Sequence, residues 1–266
     1  MTDTAKENGW ALILGASSGF GEAAALAFAK AGMNIAGVHL DRRATMPNVE
    51  RIQAEIKALG RESAFFNVNA ADEKNRNDVL DALKEKAQGQ RVRVLMHSLA
   101  FGTLRPLCAA TPEDEATQKQ VEMTLDVMGN SLVYWAQGVL RRELMGEGGR
   151  IFAMTSTGSW AVWNSYGIVG AAKAALESYI RQLAFELAPR GITANAICAG
   201  VTDTPALRKI PGNVEMIEVA KRKNPHGRLT TPEDVAGLMV ALTKPGTHWL
   251  TGNVLNVDGG EAISGG

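Results

Sequence analysis

Short apolar runs alternate with longer amphipathic stretches along almost the whole chain, and this alternation limits the fold more than any other feature. Trp10–Leu14, Asn34–His39, Ala64–Asn69, Val92–Ser98, Arg150–Thr155, Ile192–Cys198 and Asn253–Val257 read as strands. Each is mostly apolar without strict alternation, the pattern of parallel strands buried on both faces. The intervening stretches carry helical patterns. Glu22–Lys30 is Ala-rich and stops before Gly32, and Val49–Leu59 stops at Gly60. Thr-Pro-Glu-Asp runs at Thr111–Asp114 and Thr231–Asp234 predict helix starts, with Thr capping, Pro in the first turn and acids at the positive end of the dipole. Tyr166–Pro189 is a long helical pattern with Gly191 just past its end. Strands joined by helical crossovers must pair in parallel, and right-handed crossovers place helices on both faces. The expectation is a doubly wound α/β sheet of seven strands.

The 266 residues contain no repeat, low-complexity tract or Pro/Ser-rich linker, so one domain is expected. Lys plus Arg equals Asp plus Glu at 28 each, which argues against nucleic acid or an anionic membrane as main partner. Cys108 and Cys198 have no CxxC or Cys/His spacing suited to a metal and read as reduced thiols. The first nine residues are polar, unlike a signal peptide, and no apolar run reaches membrane-spanning length. A cytoplasmic location is expected, and the final Ser-Gly-Gly is expected to be loose.

The first strand runs into Gly15-Ala-Ser17-Ser18-Gly19-Phe20-Gly21 and then a helix. Glycines allow a tight turn and close backbone approach to a diphosphate, and the helix N-terminus supplies N–H groups and positive potential. The position between first strand and first helix is the context that gives a glycine loop this meaning. The Gly-x3-Gly-x-Gly spacing resembles the short-chain dehydrogenase/reductase family, whose fold is a single Rossmann-type domain, and the resemblance runs through the chain. It implies that Asn69 and Ala70 contact adenine, and Asn256-Val257-Asp258-Gly259-Gly260 resembles the family's C-terminal strand.

At the end of the second strand, an acidic residue would bond the ribose hydroxyls and select NAD. The register places His39 there, followed by Leu40-Asp41-Arg42-Arg43. His39 with Arg42 and Arg43 suits a 2′-phosphate, which favours NADPH. A two-residue slip would make Asp41 the NAD-selecting acid, and that leaves NADH open.

Ordinary members of the family carry Tyr-x3-Lys; this chain has Tyr166-x6-Lys173, with Val169 four residues before the lysine. Tyr166 still falls on nearly the same helix face as Lys173. Reduction of a double bond conjugated to a carbonyl delivers hydride to C3 while charge collects on the carbonyl oxygen, roughly 2–3 Å farther away than in ketone reduction. Three helical residues move the Tyr backbone by about 4.5 Å, so its hydroxyl can follow that oxygen. Tyr166 would hydrogen-bond the developing enolate, and Lys173 would hold the nicotinamide ribose. The Tyr-x6-Lys spacing resembles the enoyl-acyl-carrier-protein reductases. His97-Ser98-Leu99-Ala100-Phe101 is similar to their His-Ser-Ile-Gly/Ala-Phe, and Asp126 and Ser131 match them too. The ordinary glycine loop, Leu104-Arg105-Pro106, Val169-Gly170, Lys173-Ala-Ala-Leu-Glu177, Asp203-Thr204 and Ala206-Leu207 resemble the FabL type, with FabI-like features elsewhere. The resemblance implies cofactor contacts from Ser98, Leu99 and Ala100, and from Gly200, Val201 and Thr204. It also implies a homotetramer and an enoyl thioester on acyl carrier protein or coenzyme A.

Ser156 stands where ordinary members keep a catalytic Ser. It would orient a substrate carbonyl or merely cap a strand end. The segment Val201–Arg228, a lid in the family, has six basic and three acidic residues, suited either to an acidic carrier or to a solvated face. Ile210, Met216 and Ile217 are candidates for an acyl channel or for core, and Trp160 and Trp163 for a substrate wall or packing; His226 and His248 read as structural. Three functions follow: an enoyl reductase of type II fatty-acid synthesis, a carbonyl or hydroxysteroid reductase using Ser156 and Tyr166, and a nucleotide-sensing regulator without catalysis. Intact Tyr166 and Lys173 argue against the last.

Overall fold

The computed structural model describes residues 9–265. The polar residues 1–8, on which the signal-peptide reading rests, and Gly266 lie outside them. Seven strands form one parallel sheet: β1 (Trp10–Leu14), β2 (Asn34–His39), β3 (Ser63–Asn67), β4 (Val92–His97), β5 (Arg150–Thr155), β6 (Thr193–Ala199) and β7 (Val254–Val257), in the order β3-β2-β1-β4-β5-β6-β7. β1, β2 and β5 are buried at every position, while the edge strands β3 and β7 are only partly covered. That difference explains why the inner strands read as unbroken apolar runs.

The helices are α1 (Gly19–Lys30), α2 (Met46–Ala58), α3 (Glu73–Ala87), α4 (Gln118–Leu125), α5 (Ser131–Arg141), α6 (Gly167–Leu187), α7 (Asn213–Lys223) and α8 (Pro232–Ala241). One face of the sheet buries Leu12, Leu14 and Ile151 under Leu80 of α3, Trp135 of α5 and Leu176 of α6. The other buries Ala11, Ile13 and Phe152 under Phe28 of α1, Ile52 of α2 and Met239 of α8. Among the described residues, no helix is long and apolar enough to cross a membrane.

Two helix-start expectations had different outcomes. Thr231 caps α8 in a reciprocal capping box with Asp234, as the sequence implied. Thr111–Asp114 yields only one 3-10 turn, Pro112–Asp114. The true start is α4, where Thr117 and Gln120 form the capping box. A cap needs an apolar face behind it, and that face begins only with Val121. α4 and α5 are joined without a break by a π-helical turn, Asp126–Asn130, a feature often found at functional sites.

Strand order reverses between β1 and β4: the chain winds outward from β1 to β3, then returns to β4. The carboxyl ends of β1 and β4 therefore open a crevice at the topological switch point, the usual place for a ligand in such a sheet.

Candidate active site

The glycine loop borders that crevice. A Cβ on Gly21 would lie 1.9 Å from the Gly15 carbonyl oxygen, and one on Gly15, where φ is +88°, would lie 2.5 Å from the Ser98 carbonyl oxygen. Only glycine lets the turn fold back against α1 and against the chain leaving β4. Ser18, the N-cap of α1, makes no side-chain cap, so the first-turn amides keep their donors. Gly19 approaches Thr204, whose Cγ2 would be 3.3 Å from an added Cβ. Gly15, Ser98, Leu99, Gly19 and Thr204 thus form one rim, with Ser17, Ser18 and Phe20 on the same loop. These donors, with the backbone brought this close, fit the diphosphate of a dinucleotide.

Across the crevice, Tyr166 is the N-cap of α6. Ser165, just before it, has φ +60°, a left-handed conformation that costs a serine on the order of 1 kcal/mol and starts the helix abruptly at the tyrosine. Gly158 clears room for the ring, since its Cβ would be 2.4 Å from Tyr166 Cε1, and Gly170 lets α6 approach the Gly158 carbonyl. The phenol ends 3.4 Å from Ser156 Oγ. Burial pushes Tyr166 above its ordinary pKa against the opposing Ser156 hydrogen bond. The phenol is therefore protonated at neutral pH. Val169, four residues before Lys173, is buried among Met128 and Ala172.

Lys173 is 5% exposed and donates to the Met154 carbonyl oxygen at 2.8 Å. Burial pulls its ammonium down to about 8, partly opposed by Glu177. Glu177 in turn accepts from Thr155 Oγ1 at 2.6 Å. Beside the lysine lies His97, fully buried, with Nε2 2.8 Å from Ser131 Oγ. Ser131 spends its one proton on the Val127 carbonyl oxygen, so Nε2 carries the imidazole proton, and Nδ1 is an acceptor with no partner. Burial and the Lys173 charge hold His97 down at about 3, so it is neutral.

A family model described as enoyl-(acyl carrier protein) reductase matches residues 15–261. The chain belongs to this family of short-chain dehydrogenase/reductases. The enoyl-[acyl-carrier-protein] reductase [NADH] FabI of Aquifex aeolicus is 32% identical over 65% of the chain and 63% of its own length. The crystal structure of the Aquifex reductase superposes with TM-score 0.82 over 97% of this chain and 98% of that one, at 26% identity. A 1-cyclohexenylcarbonyl-CoA reductase of Streptomyces collinus is 30% identical over 98% of this chain and 89% of its own. An NADPH-dependent aldehyde reductase-like protein of Arabidopsis thaliana is 28% identical over 94% of this chain and 93% of its own.

Other residues expected at the site are placed unevenly. His39 is buried, and its Nδ1 lies 3.0 Å from Asp41 Oδ2. Burial works against the Asp41 anion, but the nearby hydroxyls of Thr45 and Ser17 and the His39 contact outweigh it and hold the carboxyl below its usual range. Asp41 therefore lies beside the glycine loop, whereas Arg42 and Arg43 are exposed and, among the described residues, form no ion pair. Asn69 turns its Oδ1 onto the Ala71 amide, and Ala70 is buried with its carbonyl accepting from Trp135 Nε1. Ala100 is exposed beyond β4, and Gly200 and Val201 follow β6. A groove lined by Trp160, Val162, Trp163, Tyr166 and Gly170 opens next to the phenol. Trp163 Nε1 donates to the Pro211 carbonyl oxygen at 3.1 Å, tying this wall to the Val201–Arg228 segment. In that segment Arg208 pairs with Asp203 and Lys221 with Glu218, while Arg228 pairs with Asp234 of α8. Ile210, Met216 and Ile217 are partly buried. Glu261, whose carboxylate accepts from the Val201 amide, has no signature in the sequence, because its contact joins residues sixty positions apart.

Proposed function

We propose that this protein reduces the C2–C3 double bond of an enoyl thioester, carried on acyl carrier protein or coenzyme A, using NADPH in preference to NADH. The observation that carries the reading is Tyr166 at the start of α6, seven residues before Lys173, with apolar Val169 where a ketone reductase of the family places its acid. A nicotinamide dinucleotide, when bound, supplies the hydride. The glycine-loop amides and Thr204 would hold its diphosphate, and Lys173, with N–H groups left beyond its bond to Met154, would hold ribose hydroxyls. The protonated Tyr166 hydroxyl donates to the thioester oxygen, where negative charge gathers as C3 is attacked; C2 then takes a proton from water. Trp160, Val162 and Trp163 offer the acyl chain an apolar wall. The Aquifex relative, named an enoyl-[acyl-carrier-protein] reductase, and the Streptomyces relative, named a 1-cyclohexenylcarbonyl-CoA reductase, support this substrate class.

The second reading, carbonyl reduction, is favoured by one observation: Ser156 Oγ is within 3.4 Å of the Tyr166 hydroxyl, a pair able to clasp one carbonyl oxygen. Dinucleotide oxidation with a crotonyl thioester and with a simple ketone, at equal concentration, separates the two. Turnover of the thioester, little of the ketone, and a loss of about a hundredfold or more in Tyr166→Phe are expected, as for removal of an oxyanion donor. Ketone turnover without enoyl turnover would overturn the proposal.

A further inference from the structure

Behind the loop that follows β6, three distant segments meet. Val201 N–H donates to the Glu261 carboxylate, at 3.1 Å from Oε2 and 3.4 Å from Oε1. Gly200 is packed so closely that a Cβ there would lie 2.9 Å from Glu261 Oε2 and 2.4 Å from Thr230 Oγ1. The turn bearing Glu261 is itself built: Asp258 accepts from the Gly260 and Ala262 amides at 3.0 and 2.9 Å. Asn224, just past α7, donates to the Asp258 carbonyl at 2.8 Å. The far side of the same loop touches the glycine cradle through Thr204 and Gly19. The loop also leaves β6 beside Cys198, whose thiol is near enough to Tyr166 to perturb it. Glu261 therefore braces, from behind, the segment lying between cradle and phenol.

We propose that Glu261 is a positioning residue for dinucleotide binding: its carboxylate, by accepting the Val201 amide, fixes the Gly200–Thr204 loop in the shape that receives the cofactor. The inference rests on the dinucleotide part of the proposed function. A backbone N–H held by a charged acceptor is a strong and directional restraint. The groups facing the Glu261 carboxylate are Asp258 on its own turn, Lys223 of α7 and Cys198 of β6, with His226 packed on Gly259 and Glu177 beyond Cys198. Burial and Asp258 raise the Glu261 pKa, against the Val201 amide and Lys223. Protonation, which weakens the acceptor, thus begins above the ordinary glutamate range as pH falls.

The test compares the wild type with Glu261→Gln and Glu261→Ala between pH 5 and 8. It reads the dissociation constants of NADPH and NADH by their fluorescence, and hydrogen exchange at the Val201 amide in the dinucleotide-free protein. Glu261→Gln keeps an acceptor oxygen without a titrating group. Expected are an affinity loss on the order of tenfold in Glu261→Ala at pH 8, the energy of one hydrogen bond to a charged group, recovery of most of it in Glu261→Gln, and a ratio of Gln-variant to wild-type affinity that rises as pH falls. Val201 exchange should quicken in Glu261→Ala, and in the wild type at low pH more than the chemical exchange rate dictates. Wild-type affinity in both variants, with unchanged Val201 exchange, would overturn the proposal. Failure of the wild type to bind either nucleotide would defeat the functional reading instead, with Val201 exchange still deciding whether Glu261 braces the loop. If Glu261→Ala does not fold, the pH-dependent ratio for Glu261→Gln decides.

Discussion

Replacing Lys173 with Met should make the protein more stable at neutral pH while abolishing catalysis. The lysine is buried, and its ammonium is pulled from 10.5 to about 8 mainly by that burial. A shift of this size corresponds to about 3 kcal/mol of unfavourable ionisation in the folded state. The folded pKa lies below the unfolded one. Between the two values the unfolded chain holds more protons, so stability climbs with pH across that window, and below the folded pKa the full cost is present. Methionine fills the stem without the charge but loses the ammonium's bond to the Met154 carbonyl, worth about 2 kcal/mol as a bond to a charged group. The net gain at pH 7 is about 1 kcal/mol, or about 3 °C in Tm for a chain of this length. Urea or thermal unfolding at pH 7 and at pH 10 measures it: the variant should be the more stable at pH 7, and the gap should close or reverse by pH 10. A Lys173→Met protein less stable than the wild type at pH 7, or a gap that does not change with pH, would refute the reasoning.

Gly21→Ala should abolish dinucleotide binding and destabilise the fold by several kcal/mol, about the upper range for a single substitution, because its Cβ meets backbone at 1.9 Å; calorimetry and chemical unfolding check both. Arg42→Ala with Arg43→Ala should weaken NADPH about tenfold or more and leave NADH nearly unchanged, if the two arginines meet a 2′-phosphate; equal effects on both nucleotides would favour Asp41 as the selecting residue. The His97 ring should show no titration by NMR between pH 5 and 9, with the proton on Nε2, since burial holds it neutral down to about 3.

The sheet was legible because its inner strands are buried on both faces: β1, β2 and β5 occupy the very residues their apolar runs suggested. β3, half-exposed at the edge, begins at Ser63 rather than Ala64 and ends at Asn67, which leaves Asn69 outside it. α1 starts at Gly19, ahead of the Glu22 expected, because glycines in the loop also serve as its first turn. Tyr166 and Lys173 could be read from spacing on one helix, but the approach of Ser156 to the phenol depends on Gly158 and Gly170 packing against each other, a tertiary event. The π-helical turn at Asp126–Asn130, the His97–Ser131 pair and the Glu261 brace left no local pattern, since each is defined by partners from elsewhere in the chain or by a hydrogen-bond register that composition does not encode.

The displaced tyrosine has meaning only if the hydride arrives one conjugated position away from the oxygen the tyrosine serves. Turnover of a crotonyl thioester with a dinucleotide deuterated at the transferred position, followed by NMR of the product, reads that position directly. Deuterium at C3 of a saturated acyl thioester is the result expected. Deuterium on the former carbonyl carbon, in an aldehyde or alcohol product that retains its double bond, would contradict the account.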